Sequence, residues 1–270
     1  MNKTITLIGI NFYPEDTAIG IYSTQMVEYL IQKGYKVNVI TGFPYYPQWK
    51  IKEDYQNKPT FFTEIIKGIT VYRYKQYVPK KSTFLKRITH LLDFTIGSFI
   101  NSFKIKQTDL VIAVVPFTTS IFLGWFLKKR LKAKLWTHIQ DFEFDAALQS
   151  GVSKKKNNLL FRSLYRIERV LLNTSDVTST ISESMLIKLK SKTNTPAFYF
   201  PNWINKDFFD FKFTNNHPYL KSNKFKILYS GNIGDKQNWV FFIEFLEELK
   251  QYNDVEVCIV GQGTKKEWLL

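Results

Sequence analysis

The feature that most limits what this chain can become is its order: short apolar, β-branched runs alternate with stretches whose apolar residues recur at helical spacing. Residues 4–10 are a run of the first kind. Ile19, Tyr22, Met26 and Leu30 then follow at helical spacing, and Gly34 supplies a stop. Residues 35–41, 68–75, 109–115, 134–139, 176–180 and 197–200 read as further strands. Between them, Leu85, Ile88, Leu92, Ile96, Phe99 and Phe103 share one helical face, and residues 119–132 form a helix. Leu160, Leu164, Ile167 and Leu171 mark another, and residues 182–190 a short one capped by Ser182. Residues 42–55, with GFPYYPQW, read as a loop. Such alternation predicts an α/β fold, built from βαβ units on a parallel sheet with helices on both faces. Ligands of such sheets sit beyond the carboxyl ends of the strands. The residues that matter for function therefore fall in 11–20, 42–49, 116–120, 140–145 and 201–204.

After Pro201 the alternation pauses, then restarts with a strand at 225–230, a glycine-containing turn at 231–237, a helix face through Trp239, Phe242, Ile243, Leu246 and Leu249, and a strand at 255–260 followed by GQG. The expected organisation is a first Rossmann-like domain over 1–204, a linker over 205–224 and the start of a second Rossmann-like domain over 225–270.

Residues 110–127, LVIAVVPFTTSIFLGWFL, carry no charge and reach the length of a membrane span. Pro116 and the polar Thr118, Thr119 and Ser120 break the run in its middle. A buried strand, a turn and an apolar helix capped by one of these hydroxyls account for it. Cys258 is the single cysteine, so no internal disulfide and no cysteine metal cluster can form. The three histidines, His90, His138 and His217, lack the helical pair spacing of a zinc hydrolase. A net charge of +15 favours anionic partners such as nucleotide phosphates or an anionic membrane. No basic-aromatic RNA motif or helix-turn-helix pattern points to nucleic acid.

Five motifs stand at strand ends: NFYPEDTAIGIYS, TGFPYYPQWKIKEDY, HIQDFEFDA, PNW and ILYSGNIGDKQNW. In this order they resemble the family 4 glycosyltransferases of GT-B fold, of the colanic-acid and exopolysaccharide branch. The branch has Tyr-Pro-Glu-x-Thr-Gly-Ile-Gly-x-Tyr where the first motif stands, and Pro-x-Tyr-Pro-x-Trp where the second does. The resemblance implies transfer of a sugar from a nucleotide diphosphate sugar to a glycan or polyprenyl-linked acceptor. It also implies retention of configuration and no metal or other cofactor. The N-terminal half would hold the acceptor and the C-terminal half the donor, in the cytoplasm or on the inner face of the plasma membrane. It further implies paired glutamates beyond Gly263 that this sequence does not contain. A Rossmann-like domain takes roughly 100–150 residues, so the 225–270 segment is expected to be incomplete and the chain inactive in transfer by itself. A sugar-nucleotide epimerase and a non-catalytic acceptor-binding subunit are the alternatives.

At the first loop, small residues beside a helix N-terminus allow a backbone to approach a phosphate. Gly20 keeps that role, while Ala18 stands where the branch has glycine; a plain tight turn is the structural alternative. Asp16 and Glu15 could orient an acceptor hydroxyl or be merely solvated, and Tyr45, Tyr46 and Trp49 are assigned to the acceptor with Asp16. In HIQDFEFDA, Asp141 and His138 are the catalytic candidates, able to orient a sugar hydroxyl or assist proton transfer. For His138 a satisfied imidazole at the sheet end is the alternative. In GNIGDKQNW, Gly231 and Gly234 allow close approach and Lys236 faces the diphosphate as a point charge, unless it is a plain surface lysine. Asn232 and Asn238 depart from the family pattern. The Ser82-to-Lys106 segment is basic and amphipathic, with Asp93 its one acid. It either covers the sheet or lies on an anionic membrane.

Overall fold

The computed structural model describes residues 3–15, 18–80, 84–142, 144–145, 159–204, 219, 221–234 and 237–270. They form two units, Met1–Trp203 and Ile204–Leu270. The first contains β1 (Thr4–Ile8), α1 (Ala18–Gln32), β2 (Lys36–Gly42), α2 (Glu53–Gln56), β3 (Phe61–Ile66), β4 (Ile69–Tyr74) and α3 (Phe84–Ser102). It continues through β5 (Leu110–Val115), α4 (Thr119–Leu131), β6 (Lys134–Ile139), α5 (Leu159–Leu172), β7 (Val177–Thr180), α6 (Glu183–Lys192) and β8 (Ala197–Tyr199). The second contains β9 (Phe225–Ser230), α7 (Trp239–Leu249), β10 (Val255–Val260) and α8 (Lys266–Leu269).

The strands of the first unit form one sheet in the order β3-β4-β2-β1-β5-β6-β7-β8. Every pairing is parallel except β3 with β4. Alternation along the strands divides the core in two. Ile5 and Leu7 of β1, with Ile112 and Val114 of β5, face Met26 and Val27 of α1. Ile8, Val111, Ala113 and Val115 face the opposite way, onto Ile121, Leu123 and Leu127 of α4, Leu172 of α5 and Leu189 of α6. The uncharged 110–127 run thus becomes β5, a turn and most of α4. Among the described residues no helix is long and apolar enough to cross a membrane.

Local chemistry explains several boundaries. Gly34 adopts φ +86° just past α1, the left-handed stop that glycine supplies at no steric cost. Ser182 Oγ accepts from Met185 N at 3.2 Å and caps α6 as the sequence indicates. At α4 the expected hydroxyl cap is not made: Thr118 is helical and its side chain makes no capping bond. The hairpin partner β3 escapes the sequence pattern. Its turn sets both Lys67 (φ 49°) and Gly68 (φ 82°) left-handed, a two-residue hairpin geometry whose usual first residue is Asn, Asp or Gly.

Helix α3 turns part of its apolar surface outward. Phe94, Gly97, Ser98, Asn101 and Ser102 are its buried face, while Leu92, Ile96, Ile100 and Phe103 lie exposed. The sheet dictates this. A Cβ on Gly97 would stand 2.1 Å from the Tyr74 ring, so the helix meets β4 through its one residue without a side chain. Tyr74 then donates to Asp93 Oδ1 at 2.9 Å, and Asp93 Oδ2 accepts from Tyr77 N at 2.6 Å.

Candidate functional site

The chain runs leftward from β1 to β2 and rightward from β1 to β5. Ligands of open parallel sheets bind where the strand order reverses in this way, at the carboxyl ends. The loop leaving β1 reaches this point. Its Glu15 is buried, accepting from Tyr45 N at 2.7 Å and Tyr46 N at 2.9 Å through one oxygen and from Asn11 Nδ2 at 2.6 Å through the other. Burial raises its pKa, and these donors together with Arg73 pull it back. Glu15 is therefore not a solvated side chain but the tie between the first two loops. Gly20 lies in the first turn of α1, where a Cβ would come within 3.0 Å of the Glu15 Cβ and carbonyl oxygen. Its lack of a side chain serves this close crossing. Asp16 lies outside the described residues.

Two further buried polar side chains hold the same loops, and neither is among the candidates from the sequence. Arg73 of β4 is 0% exposed. It pairs with Glu64 of β3, donates to Gly42 O at 3.0 Å and to Tyr13 O, and stacks its guanidinium 5.0 Å from the Tyr55 ring. Gln76 donates to Phe43 O at 2.9 Å and accepts from Phe43 N at 2.7 Å. The signal for Arg73 was available. In β4 it falls in phase with Ile69 and Val71, on the buried side of a period-two pattern.

Tyr45, Tyr46 and Trp49 come together as one aromatic group, with ring centroids 5.5–6.5 Å apart. Tyr45 is buried, whereas Tyr46 is exposed and Trp49 half-buried, so the group has a floor and an open side. His90 of α3 enters it, 4.9 Å from Tyr45 and 5.9 Å from Trp49. Its Nδ1 bonds to Tyr77 O, its Nε2 has no hydrogen-bond partner among the described residues, and burial lowers its pKa.

His138 is the penultimate residue of β6, level with Val114 of β5 and Ser179 of β7. It is 1% exposed, and both ring nitrogens are engaged: Nδ1 with Ser179 Oγ and Nε2 with Gln140 Nε2, each at 2.9 Å. Because an amide NH2 only donates, Nε2 is the acceptor and Nδ1 carries the hydrogen. Desolvation lowers the pKa to about 4, so the ring is neutral near pH 7. Gln140 then exchanges two 2.9 Å bonds with Asn202 of the PNW motif. Trp203 follows, donating to Gln25 of α1 at 2.7 Å with its ring 5.5 Å from Tyr22. Asp141 projects from this braced turn and is exposed. Glu143 lies outside the described residues. Asp145 is occupied in folding, paired with Lys188 at 2.7 Å and Lys192 at 2.8 Å of α6.

In the second unit the two glycine loops lie against each other. Gly231 N donates to Val260 O at 3.0 Å and Ile233 N to Gln262 O at 2.8 Å. A Cβ on Gly261 would stand 2.0 Å from Gly231 O, and one on Gly263 2.1 Å from Ile233 O. The glycines of GQG are thus required by the backbone of GNIG. Trp239 Nε1 donates to Gly234 O at 2.9 Å, folding the motif's tryptophan under its own loop. Asn238 caps α7, its side chain accepting from Phe241 N at 3.3 Å. Lys236 lies outside the described residues.

Over 97% of its length the chain is 38% identical to WcaI of Escherichia coli (strain K12), named as a colanic acid biosynthesis glycosyl transferase, and it spans 66% of that relative. No protein-family model matches. Among solved structures it resembles sucrose-phosphate synthase from Thermosynechococcus elongatus, with a TM-score of 0.63 at 15% identity over 97% of this chain and 71% of the other. It also resembles the catalytic domain of starch synthase IV from Arabidopsis thaliana, bound to ADP and acarbose, with a TM-score of 0.62 at 12% identity over 98% and 69%.

Proposed function

We propose that this chain belongs to the glycosyltransferases of GT-B fold, and that it is the acceptor-side part, with the opening of the donor side, of an enzyme of cell-surface polysaccharide synthesis. The reaction moves a sugar from a nucleotide diphosphate sugar to a glycan or polyprenyl-linked acceptor, with retention and without a metal. The observation that carries this reading is the 38% identity sustained over 97% of the chain, which spans both units. The geometry agrees with it, since the motif loops of the first unit lie at the carboxyl ends of its sheet.

In this reading Tyr46 and Trp49 offer the acceptor sugar an aromatic face, with Tyr45 beneath them, and Asp16 is assigned to the same acceptor. Asp141 orients a hydroxyl of the reacting sugar. His138, neutral and bonded at both nitrogens, holds the Gln140–Asp141 turn in place. In the second unit Gly231, Gly234 and Lys236 take the diphosphate, where positive charge stabilises the leaving group. A lipid-linked acceptor places the work in the cytoplasm, at the inner face of the plasma membrane.

The test is a panel of nucleotide sugars incubated with the protein and cell membranes, together with calorimetry of nucleoside diphosphate binding. Lys236→Ala should weaken that binding by about tenfold or more, since a charge-assisted contact contributes about 1.5–3 kcal/mol. Unchanged affinity overturns the donor assignment. In a transfer-competent form of the enzyme, Asp141→Asn should keep the fold and lower transfer by about tenfold or more, and full activity there removes Asp141 from the site.

A further inference from the structure

Helix α3 buries small polar side chains beside Phe94 and leaves part of its apolar surface in solvent. Ser98, Asn101 and Ser102 are fully buried, while Leu92 is 51%, Ile96 63%, Ile100 48% and Phe103 50% exposed. Leu92, Ile96 and Ile100 recur every four residues and form one ridge along α3, and Phe103 follows just past its last residue. Beside them α4 adds Phe122, which stacks on Phe99 with centroids 6.3 Å apart, and the half-buried Trp125. The face is continuous over two helices, unlike a scatter of single exposed side chains.

Among the described residues of 84–106 the charged side chains are basic apart from Asp93. The lone acid of the segment, Asp93, is engaged with Tyr74 and Tyr77 on the sheet side. Lys86 in the first turn of α3, Lys106 just past its end and Lys129 in the last turn of α4 are exposed. In the last turn of α4 Arg130 is fastened to the Ser102 and Ile105 carbonyls, and its guanidinium lies 5.3 Å from the Phe103 ring. A second copy presenting the same cationic rim would be repelled. A bilayer with anionic headgroups satisfies both the ridge and the rim, by burying apolar side chains at the acyl boundary and pairing lysines with phosphates.

We propose that the α3–α4 face seats the first unit on an anionic lipid surface, with Leu92, Ile96, Ile100 and Phe103 in the acyl boundary and the lysines at the headgroups. The proposal extends the reading of a lipid-linked acceptor but can fail separately from it. Seated in this way, the protein holds α3, and with it His90 and the neighbouring Tyr45–Trp49 group, at the membrane.

The experiment is flotation of the 270-residue protein with phosphatidylglycerol–phosphatidylcholine vesicles and with pure phosphatidylcholine vesicles, at low and high salt. Binding should need phosphatidylglycerol, fall with salt, and drop about tenfold or more in Ile96→Glu with Ile100→Glu. Both positions point to solvent, so melting temperature should stay unchanged. Should that pair fail to fold, Lys86→Glu with Lys106→Glu tests the rim alone and should give the same loss. Equal binding to neutral vesicles, or undiminished binding by the folded variants, overturns the proposal. So does a dimer that Ile96→Glu dissolves without changing vesicle binding, because the face then belongs to a second copy. Sugar transfer to a soluble acceptor without vesicle binding sinks this proposal alone. Vesicle binding without nucleoside diphosphate binding sinks the donor assignment alone.

Discussion

Arg73 shows how one side chain can hold a site it never needs to touch. Its guanidinium is fully buried between Glu64 and the carbonyls of Gly42 and Tyr13. Arg73→Met would leave Glu64 with the Tyr55 hydroxyl but no cation, and take the guanidinium donor from both carbonyls; breaking a buried pair of this kind costs about 3–5 kcal/mol. The denaturant midpoint of the first unit should fall accordingly, and a shift under about 1 kcal/mol would show the guanidinium to be dispensable. His138 makes a prediction about pH. Its pKa is lowered from 6.5 to about 4 in the folded protein. The unfolded chain therefore binds a proton first as pH falls, and stability that is complete above pH 6.5 is lost between there and about 4. A shift of this size corresponds to about 3 kcal/mol. His90, also lowered by burial, adds in the same direction, whereas Glu15, raised by burial, opposes it. His138→Gln should therefore flatten, but not abolish, the fall in melting temperature through this window. An unchanged pH slope would show that the ring charges freely in the folded state.

At the scale of elements, α3 is where pattern and packing part company. Periodicity located the helix and its apolar stripe, and in a water-soluble α/β protein such a stripe covers the sheet. Here Gly97 and the small polar residues meet the sheet instead, because the Tyr74 ring occupies the space where a larger side chain would go. Gly97→Ala should push α3 off β4 and break the Tyr74–Asp93 bond. Overpacking of this kind costs about 1–3 kcal/mol, read as a loss of thermal stability and of hydrogen-exchange protection in α3. Unchanged protection would mean that Tyr74 swings aside freely. The β3–β4 hairpin was invisible for a different reason. Its turn depends on a lysine accepting φ 49°, and only pairing along the whole of β4 compensates for such a choice.

At the scale of the molecule, the two units differ in how thoroughly their sheets are covered. In the first unit most residues of β1, β2, β5 and β6 are buried, whereas in the second every residue of β9 and β10 is half-buried or exposed. Parallel sheets are ordinarily buried on both faces. Hydrogen exchange should therefore be slow in the core strands of Met1–Trp203 and faster in β9 and β10, and equally strong protection in both would contradict this. The sequence determined the α/β class, the strand order along the chain and the motif loops at the strand ends, because apolar periodicity and glycine stops are local properties. It also placed His138, Asp141 and the Tyr45–Trp49 group at strand ends. Only the tertiary structure decided that Glu15, Arg73 and Gln76 fasten those loops together, that both nitrogens of His138 are engaged, and that the apolar stripe of α3 faces outward. Each of these depends on which distant strand or loop a side chain meets, and a buried polar group takes its role from that partner rather than from its place in the chain.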